Sequence, residues 1–167
     1  MKKVYDTINQ YCVEHELLTN GDGIVIGLSG GMDSVCLLQV LAALRNEWQL
    51  RLVCVHVHHG IRGTAADEDA AFAQRLAAKY NISFRLYEMD IPQLAKEQGL
   101  SEEEAGRNYR YRCFEEVRKE LNFDKIAVAH HRDDQAETVL WQILRGSGLR
   151  GVCGMRAGRA NIIRPLL

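Results

Sequence analysis

The sequence contains no CxxC pair, no apolar run of membrane-spanning length, no Walker-type GxxxxGK(S/T) loop and no excess of either charge. Each absence removes a class. The five cysteines, Cys12, Cys36, Cys54, Cys113 and Cys153, are odd in number, and the closest two lie eighteen positions apart. Neither a disulfide framework nor a zinc ribbon can be built on that spacing. Cys36 and Cys54 fall in apolar runs and read as small buried hydrophobes. The sequence predicts no membrane helix, and Met-Lys-Lys at the start is not followed by the apolar core of a signal peptide. A cytoplasmic protein is expected. Twenty-one basic residues against twenty-two acidic ones leave a net charge of −1, which excludes a basic coat protein and an acidic tail protein. Only two prolines are present, and no repeat, low-complexity tract or linker breaks the chain.

What is present suits one domain: 167 residues, 47% apolar and 26% charged. Short apolar runs at 24–28, 50–57, 82–87 and 126–129 predict buried strands, and Ile162-Ile163 starts a fifth. Helices are expected over 3–18, around Leu37, Leu38, Leu41 and Leu44, and over 64–80, 101–121 and 134–144. Ser101 and Glu104 have the capping-box spacing at the start of the fourth. Strands alternating with helices predict an α/β fold, a parallel five-stranded sheet covered on both faces. Such a sheet binds ligands beyond the carboxyl ends of its strands. Three polar clusters fall there: 29–34, 56–62 and 130–137.

Gly146-Ser-Gly148-Leu-Arg-Gly151 spells GxGxxG, yet a helix precedes it where the dinucleotide fingerprint needs a strand. It reads as a loop after a helix. Ser29-Gly30-Gly31-Met32-Asp33-Ser34 is different, because it joins a buried strand to an amphipathic helix. Adjacent glycines let backbone amides converge on an anion, and the helix start adds open N–H groups and a positive dipole end. Ser29 and Ser34 can donate hydroxyl hydrogen bonds. Asp33 suits a magnesium ion bridging phosphates. A plain strand-to-helix turn, with Asp33 or Ser34 as N-cap, would explain one glycine and one cap but not the whole run.

This loop resembles the SGGxDS loop of PP-loop ATP pyrophosphatases. Three further stretches resemble motifs of tRNA(Ile)-lysidine synthases: His56-Val57-His58-His59-Gly60-Ile61-Arg62 (HVNHGLR), the run from Glu104 to Tyr111 (EAxARxxRY), and the run from Ala129 to Thr138 (AHHxDDQAET). Gly146 to Gly154 and Arg164-Pro165-Leu166-Leu167 match the family's RGxGxxGLxG and RPLL segments. The motifs run in family order from about residue 21 to the end. His58 stands where the family has asparagine, and Gly106 where it has alanine. The resemblance implies a Rossmann-like fold of the adenine nucleotide alpha hydrolase type, with residues 1–167 as one N-terminal catalytic domain and further domains beyond it. It implies adenylation of C2 of the wobble cytidine in a tRNA(Ile) with a CAU anticodon, followed by displacement of AMP by free L-lysine. ATP and Mg²⁺ are the implied cofactors; a homodimer is compatible with the sequence.

Carried onto this chain, that chemistry gives Ser29, Gly30, Gly31, Met32, Asp33, Ser34, His56 and His130 to the nucleotide, and Asp33 to the metal. Asp33, Arg107, Asp134 and Glu137 become the catalytic candidates, with Arg110, Asp133 and Arg145 for the remaining substrates. Asp133, Asp134 and Glu137 share a helix start, and such acids could hold an ammonium or take its proton. They could equally be a helix cap, Asp134 with Glu137 as the box. Arg107 and Arg110 could grip phosphate or base, or pair with Glu103 or Glu104 on a solvated face. His56, His58, His130 and His131 could bind zinc, but they lack the short-spaced thiolate or carboxylate of such sites, and hydrogen bonds to nucleotide fit better. After Glu137 there is no acidic residue but five arginines, Arg145, Arg150, Arg156, Arg159 and Arg164, a basic patch suited to RNA phosphate or simply a solubilised loop. Rival readings are a PP-loop tRNA 2-thiolation enzyme, which would carry paired cysteines, and a nucleotide-binding domain without catalysis.

Overall fold

The computed structural model describes residues 2–58, 60, 64–146 and 153–167. His59, Ile61 and Arg62 of the second motif, and residues 147–152 with Gly148, Arg150 and Gly151, lie outside the described residues. The chain runs α1 (Lys2–Glu14), β1 (Gly23–Gly27), α2 (Met32–Leu44), β2 (Arg51–His58), α3 (Thr64–Lys79), β3 (Ser83–Glu88), α4 (Ile91–Gln98), α5 (Glu102–Glu120), β4 (Lys125–Ala127), α6 (Arg132–Leu144), β5 (Gly158–Arg159) and β6 (Ile162–Ile163).

The sheet has the order β3-β2-β1-β4-β6-β5, so it holds six strands rather than the five expected. Five are parallel; β5 is a two-residue strand antiparallel to β6. From β1 the chain moves outward to β2 and β3, then crosses back to β4 on the other side of β1. The strand order reverses between β1 and β4, and a crevice opens at that point.

Alternation along the strands feeds two cores. Ile24, Ile26, Leu52 and Cys54 face α1, α2 and α3, where Cys12, Leu37, Leu38, Leu41, Leu44, Ala73 and Ala77 meet them. Val25, Val53, Val55, Val57, Ile126 and Val128 face α4 and α5, against Ile91, Ala95, Ala105, Tyr109, Phe114 and Val117. Each fully buried aliphatic side chain contributes roughly 1.5–3 kcal/mol. Gly27 lets α5 lie close, since a Cβ there would stand 2.7 Å from the Phe114 ring.

Helix α4, absent from the sequence reading, has its own signals. Asp90 caps it by accepting from Gln93 N at 2.9 Å, and Gly99 at φ 67° ends it. The Ser101 cap of α5 is as expected, accepting from Glu104 N at 3.2 Å. Helix α6 is unlike the rest: none of its residues is buried, and Leu140, Trp141, Ile143 and Leu144 are exposed. Its start is clasped to the tail through Gln135, whose amide both donates to Met155 O (3.0 Å) and accepts from Met155 N (2.6 Å).

Candidate active site

At the strand reversal lies a cavity of about 420 Å³. Gly27, Leu28, Val55, Val57, Phe114 and Val128 give it an apolar lining. Its polar lining comes from the loop after β1 (Ser29, Gly31, Asp33, Ser34), from α5 (Glu103, Arg107, Arg110, Tyr111) and from the start of α6 (His130, His131, Asp134).

The loop after β1 is built around an unfilled helix start. Gly30 takes φ 94°, a left-handed conformation that non-glycine residues adopt only at a cost. Gly31, not Asp33 or Ser34, is the N-cap of α2, and no side chain caps it. A Cβ on Gly31 would have only Ser29 Oγ near it, at 3.5 Å, and the first amides of α2 have no hydrogen-bond partner among the described residues. Ser34 braces the turn: its hydroxyl donates to Gly31 O (2.8 Å) and accepts from Ser29 N (3.2 Å) and Ser29 Oγ (3.1 Å). Its hydroxyl proton is therefore held by the loop rather than offered to a ligand.

His56 is buried outside the cavity, not toward nucleotide as expected. Its Nδ1 lies 2.7 Å from Leu28 O, and because a carbonyl only accepts, that nitrogen carries the proton. Burial pushes its pKa below the usual value, so the neutral ring fixes the end of β1. Met32 also points away, 87% exposed, and Gly30 backs onto Asp69, where a Cβ on the glycine would stand 3.5 Å from Asp69 Cβ.

The arginines of α5 do reach the cavity. Arg107 and Arg110 make no ion pair with a carboxylate among the described residues, so the solvated salt-bridge face does not form. Arg107 leans on the Tyr111 ring, its Cζ 5.8 Å from the centroid. Arg110 is largely withdrawn from water; burial, and the Arg107 charge beside it, pull its pKa below the usual guanidinium value. Two cations with no carboxylate partner among the described residues, lining the same cavity as an uncapped helix start, suit an anion. His130 faces the same field. Burial foremost, then the charges of Arg164, Arg107 and Arg110, push its pKa down, and its Nδ1 is buried with no hydrogen-bond partner among the described residues.

The acids divide. Asp134, with His131, caps α6 reciprocally: Asp134 Oδ2 accepts from His131 N (2.8 Å), and His131 Nδ1 accepts from Asp133 N (3.2 Å). The capping box is thus His131 with Asp134, not Asp134 with Glu137. His131 Nε2 sits 3.6 Å from both Asp33 Oδ2 and Asp134 Oδ2, linking the two helix starts. Asp133 and Glu137 are exposed and do not line the cavity. Neither does Arg145, which lies over the Trp141 ring at 4.6 Å. Arg164 is no surface arginine; it is 8% exposed, with Nη1 donating to Arg156 O at 2.9 Å. Among the described residues no three His, Cys, Asp or Glu side chains gather as metal ligands.

Sequence reasoning missed Glu103. In EAxARxxRY the acid precedes the first arginine by four positions, and four before Arg107 is Glu103, not Glu104. Glu103 lines the cavity; Glu104 does not.

Solved structures share the fold. The U34-tRNA thiolase NcsA from Methanococcus maripaludis, with its 4Fe–4S cluster, matches at TM-score 0.74 and 22% identity, over 99% of this chain and 58% of that one. The NH3-dependent NAD synthetase from Campylobacter jejuni matches at TM-score 0.60 and 17% identity, over 84% and 60%. Curated relatives are closer in sequence. The tRNA(Ile)-lysidine synthase of Caldanaerobacter subterraneus subsp. tengcongensis is 49% identical over 167 residues, covering 100% of this chain and 35% of that protein. The one from Clostridium tetani is 42% identical over 165 residues, 98% of this chain and 34% of that protein. The chain spans about a third of the length of the curated relatives it matches. The family model of the PP-loop domain, an ATP-binding domain, matches residues 2–167. With its open glycine loop after β1 and its cavity at the strand reversal, the chain belongs to the PP-loop domain family.

Proposed function

We propose that this chain is the ATP-using catalytic domain of a tRNA(Ile)-lysidine synthase, joining L-lysine to C2 of the wobble cytidine in a tRNA(Ile) with a CAU anticodon. The observation that carries the reading is the 49% identity to such an enzyme over every residue of this chain. The cavity supports it, because it gathers an uncapped helix start, two guanidinium groups and three carboxylates in one space.

The first amides of α2 hold the phosphates of ATP, with Arg107 and Arg110, which line the same cavity, neutralising them. The guanidiniums also offset the charge that develops as the cytidine C2 oxygen attacks the α-phosphorus and pyrophosphate leaves. Asp33, exposed at the helix start, is the carboxylate this reading gives to Mg²⁺; bound there, the ion would neutralise phosphate charge. In the second half-reaction the lysine amine forms the C–N bond as the C2–O bond breaks and AMP departs. The amine gives up its protons on the way, and Asp134, on the acid side of the cavity, is the acceptor this chain offers. Arg145, Arg156 and Arg159 are exposed and supply part of an RNA-facing surface.

Sulfur transfer fits less well. Cys12, Cys54 and Cys113 are buried, and burial pushes the Cys12 thiol up to about 11 and that of Cys54 to about 12. These three enclosed thiols are poor sulfur carriers, and the exposed Cys153 has no second cysteine at CxxC spacing.

The test is release of AMP and pyrophosphate from ATP, with and without L-lysine and an isoleucine tRNA transcript bearing CAU. Release of AMP that requires both supports ligation, and Asp33→Ala should abolish it. Release that ignores lysine, or tight ATP binding without any turnover, would favour the non-catalytic reading.

A further inference from the structure

The proposed reaction needs a cationic amine seated in a cavity otherwise built for anions, and among the described residues three carboxylates line that cavity: Asp33, Glu103 and Asp134. Two are engaged. Asp33 stands at the phosphate end, 3.6 Å from His131 Nε2. Asp134 Oδ2 accepts from His131 N at 2.8 Å and faces the same ring nitrogen. Glu103 makes no hydrogen bond or ion pair among the described residues. It sits one turn before Arg107 on α5, a spacing at which an acid and a guanidinium ordinarily pair. Here they stay apart, with Arg107 drawn toward the Tyr111 ring.

An acid side chain that lines a cavity and has no hydrogen-bond or ion-pair partner among the described residues is available for a ligand cation. We infer that Glu103 seats an ammonium group of the free amino acid, and so selects a diamino acid over a neutral one. The inference rests on the lysidine reading for the identity of that amino acid. It differs from the expectation from helix spacing, in which Asp133, Asp134 and Glu137 could hold the ammonium or take its proton. Two of those three lie outside the cavity lining. The carboxylate one turn from Arg107 is exposed and lines the cavity, and it provides the negative charge on the α5 wall.

The experiment titrates the ATP-loaded protein with L-lysine by calorimetry, comparing wild type, Glu103→Gln and Glu104→Gln, and repeats it with norleucine. Loss of one charge-assisted hydrogen bond predicts that Glu103→Gln weakens lysine binding by about tenfold or more. Glu104→Gln, which removes an equal charge one residue away but outside the cavity, should bind lysine as wild type does. Norleucine, lacking the second amine, should bind more weakly to wild type than lysine and lose the difference in Glu103→Gln. Equal lysine affinity in Glu103→Gln and wild type would overturn the assignment, as would equal weakening by Glu104→Gln or no lysine binding at all. Turnover with the tRNA is scored separately. Glu103-dependent lysine binding without RNA-dependent turnover would keep the ammonium site and sink the lysidine reading.

Discussion

Two thirteen-residue helices, α2 and α6, start beside the same cavity from the ends of neighbouring strands, and they are opposites. Helix α2 buries Ser34, Leu37, Leu38, Val40, Leu41 and Leu44; α6 buries nothing. The start of α2 has a glycine cap and open amides, whereas the start of α6 is closed by its own His131 and Asp134. Macrodipoles make every helix start attractive to anions. The difference shows how a site chooses between two of them. The helix anchored in the core leaves its end uncapped, and the loosely held one fills its end with its own side chains.

The largest effects should separate the anchoring. Leu41→Ala removes a fully buried side chain and should cost about 3 kcal/mol, while Leu144→Ala, 73% exposed, should stay within about 0.5 kcal/mol in urea unfolding. Comparable losses would show that α6 is covered in solution. The next pair addresses the helix starts. Gly31→Ala has an ordinary φ of −68° and room for its Cβ, so stability should shift by less than about 1 kcal/mol. Its methyl would stand among the open amides, and binding of inorganic pyrophosphate should weaken about tenfold or more. His131→Ala should do the reverse in stability, costing about 1 kcal/mol because the α6 cap is lost. The smallest effect is one of pH. His56 and His130 have folded pKa values below the ordinary 6.5, so both are neutral, with full stability, above that value. As pH falls below 6.5 the unfolded chain takes up protons that the folded one refuses, and stability drops until the folded pKa values are passed. Urea midpoints at about pH 7.5 and about pH 5.5 should show this fall, and His56→Asn should reduce it.

Much of this was legible because the signals were local. The glycine loop, the Ser101 cap and the alternating strands depend on neighbours within a few residues. Strand β5 was not legible, since Gly158 and Arg159 are extended only by pairing with Ile163 and Ile162. Helix α4 was missed because eight residues carry little periodicity. The site was read in part. Asp33, Arg107, Arg110, His130 and Asp134 do converge, because the sheet fixes where their elements begin. Which way a helix turns its acids is a tertiary outcome, and so Asp133 and Glu137 were assigned to a cavity they do not line. Glu103 could have been found by counting the motif from its arginine.

The two borders of the sheet bear on how the protein behaves when concentrated. Strand edges carry unpaired amides and carbonyls, ready templates for another chain. At one border β5 offers only Gly158 and Arg159, too short a strip to recruit a further strand. At the other, β3 is longer, but Arg85 and Glu88 punctuate it, and Arg85 is tied to Glu120 at 2.9 Å. Charge on one border and brevity on the other discourage edge-to-edge stacking, so a parallel sheet that leaves both ends open can stay dispersed.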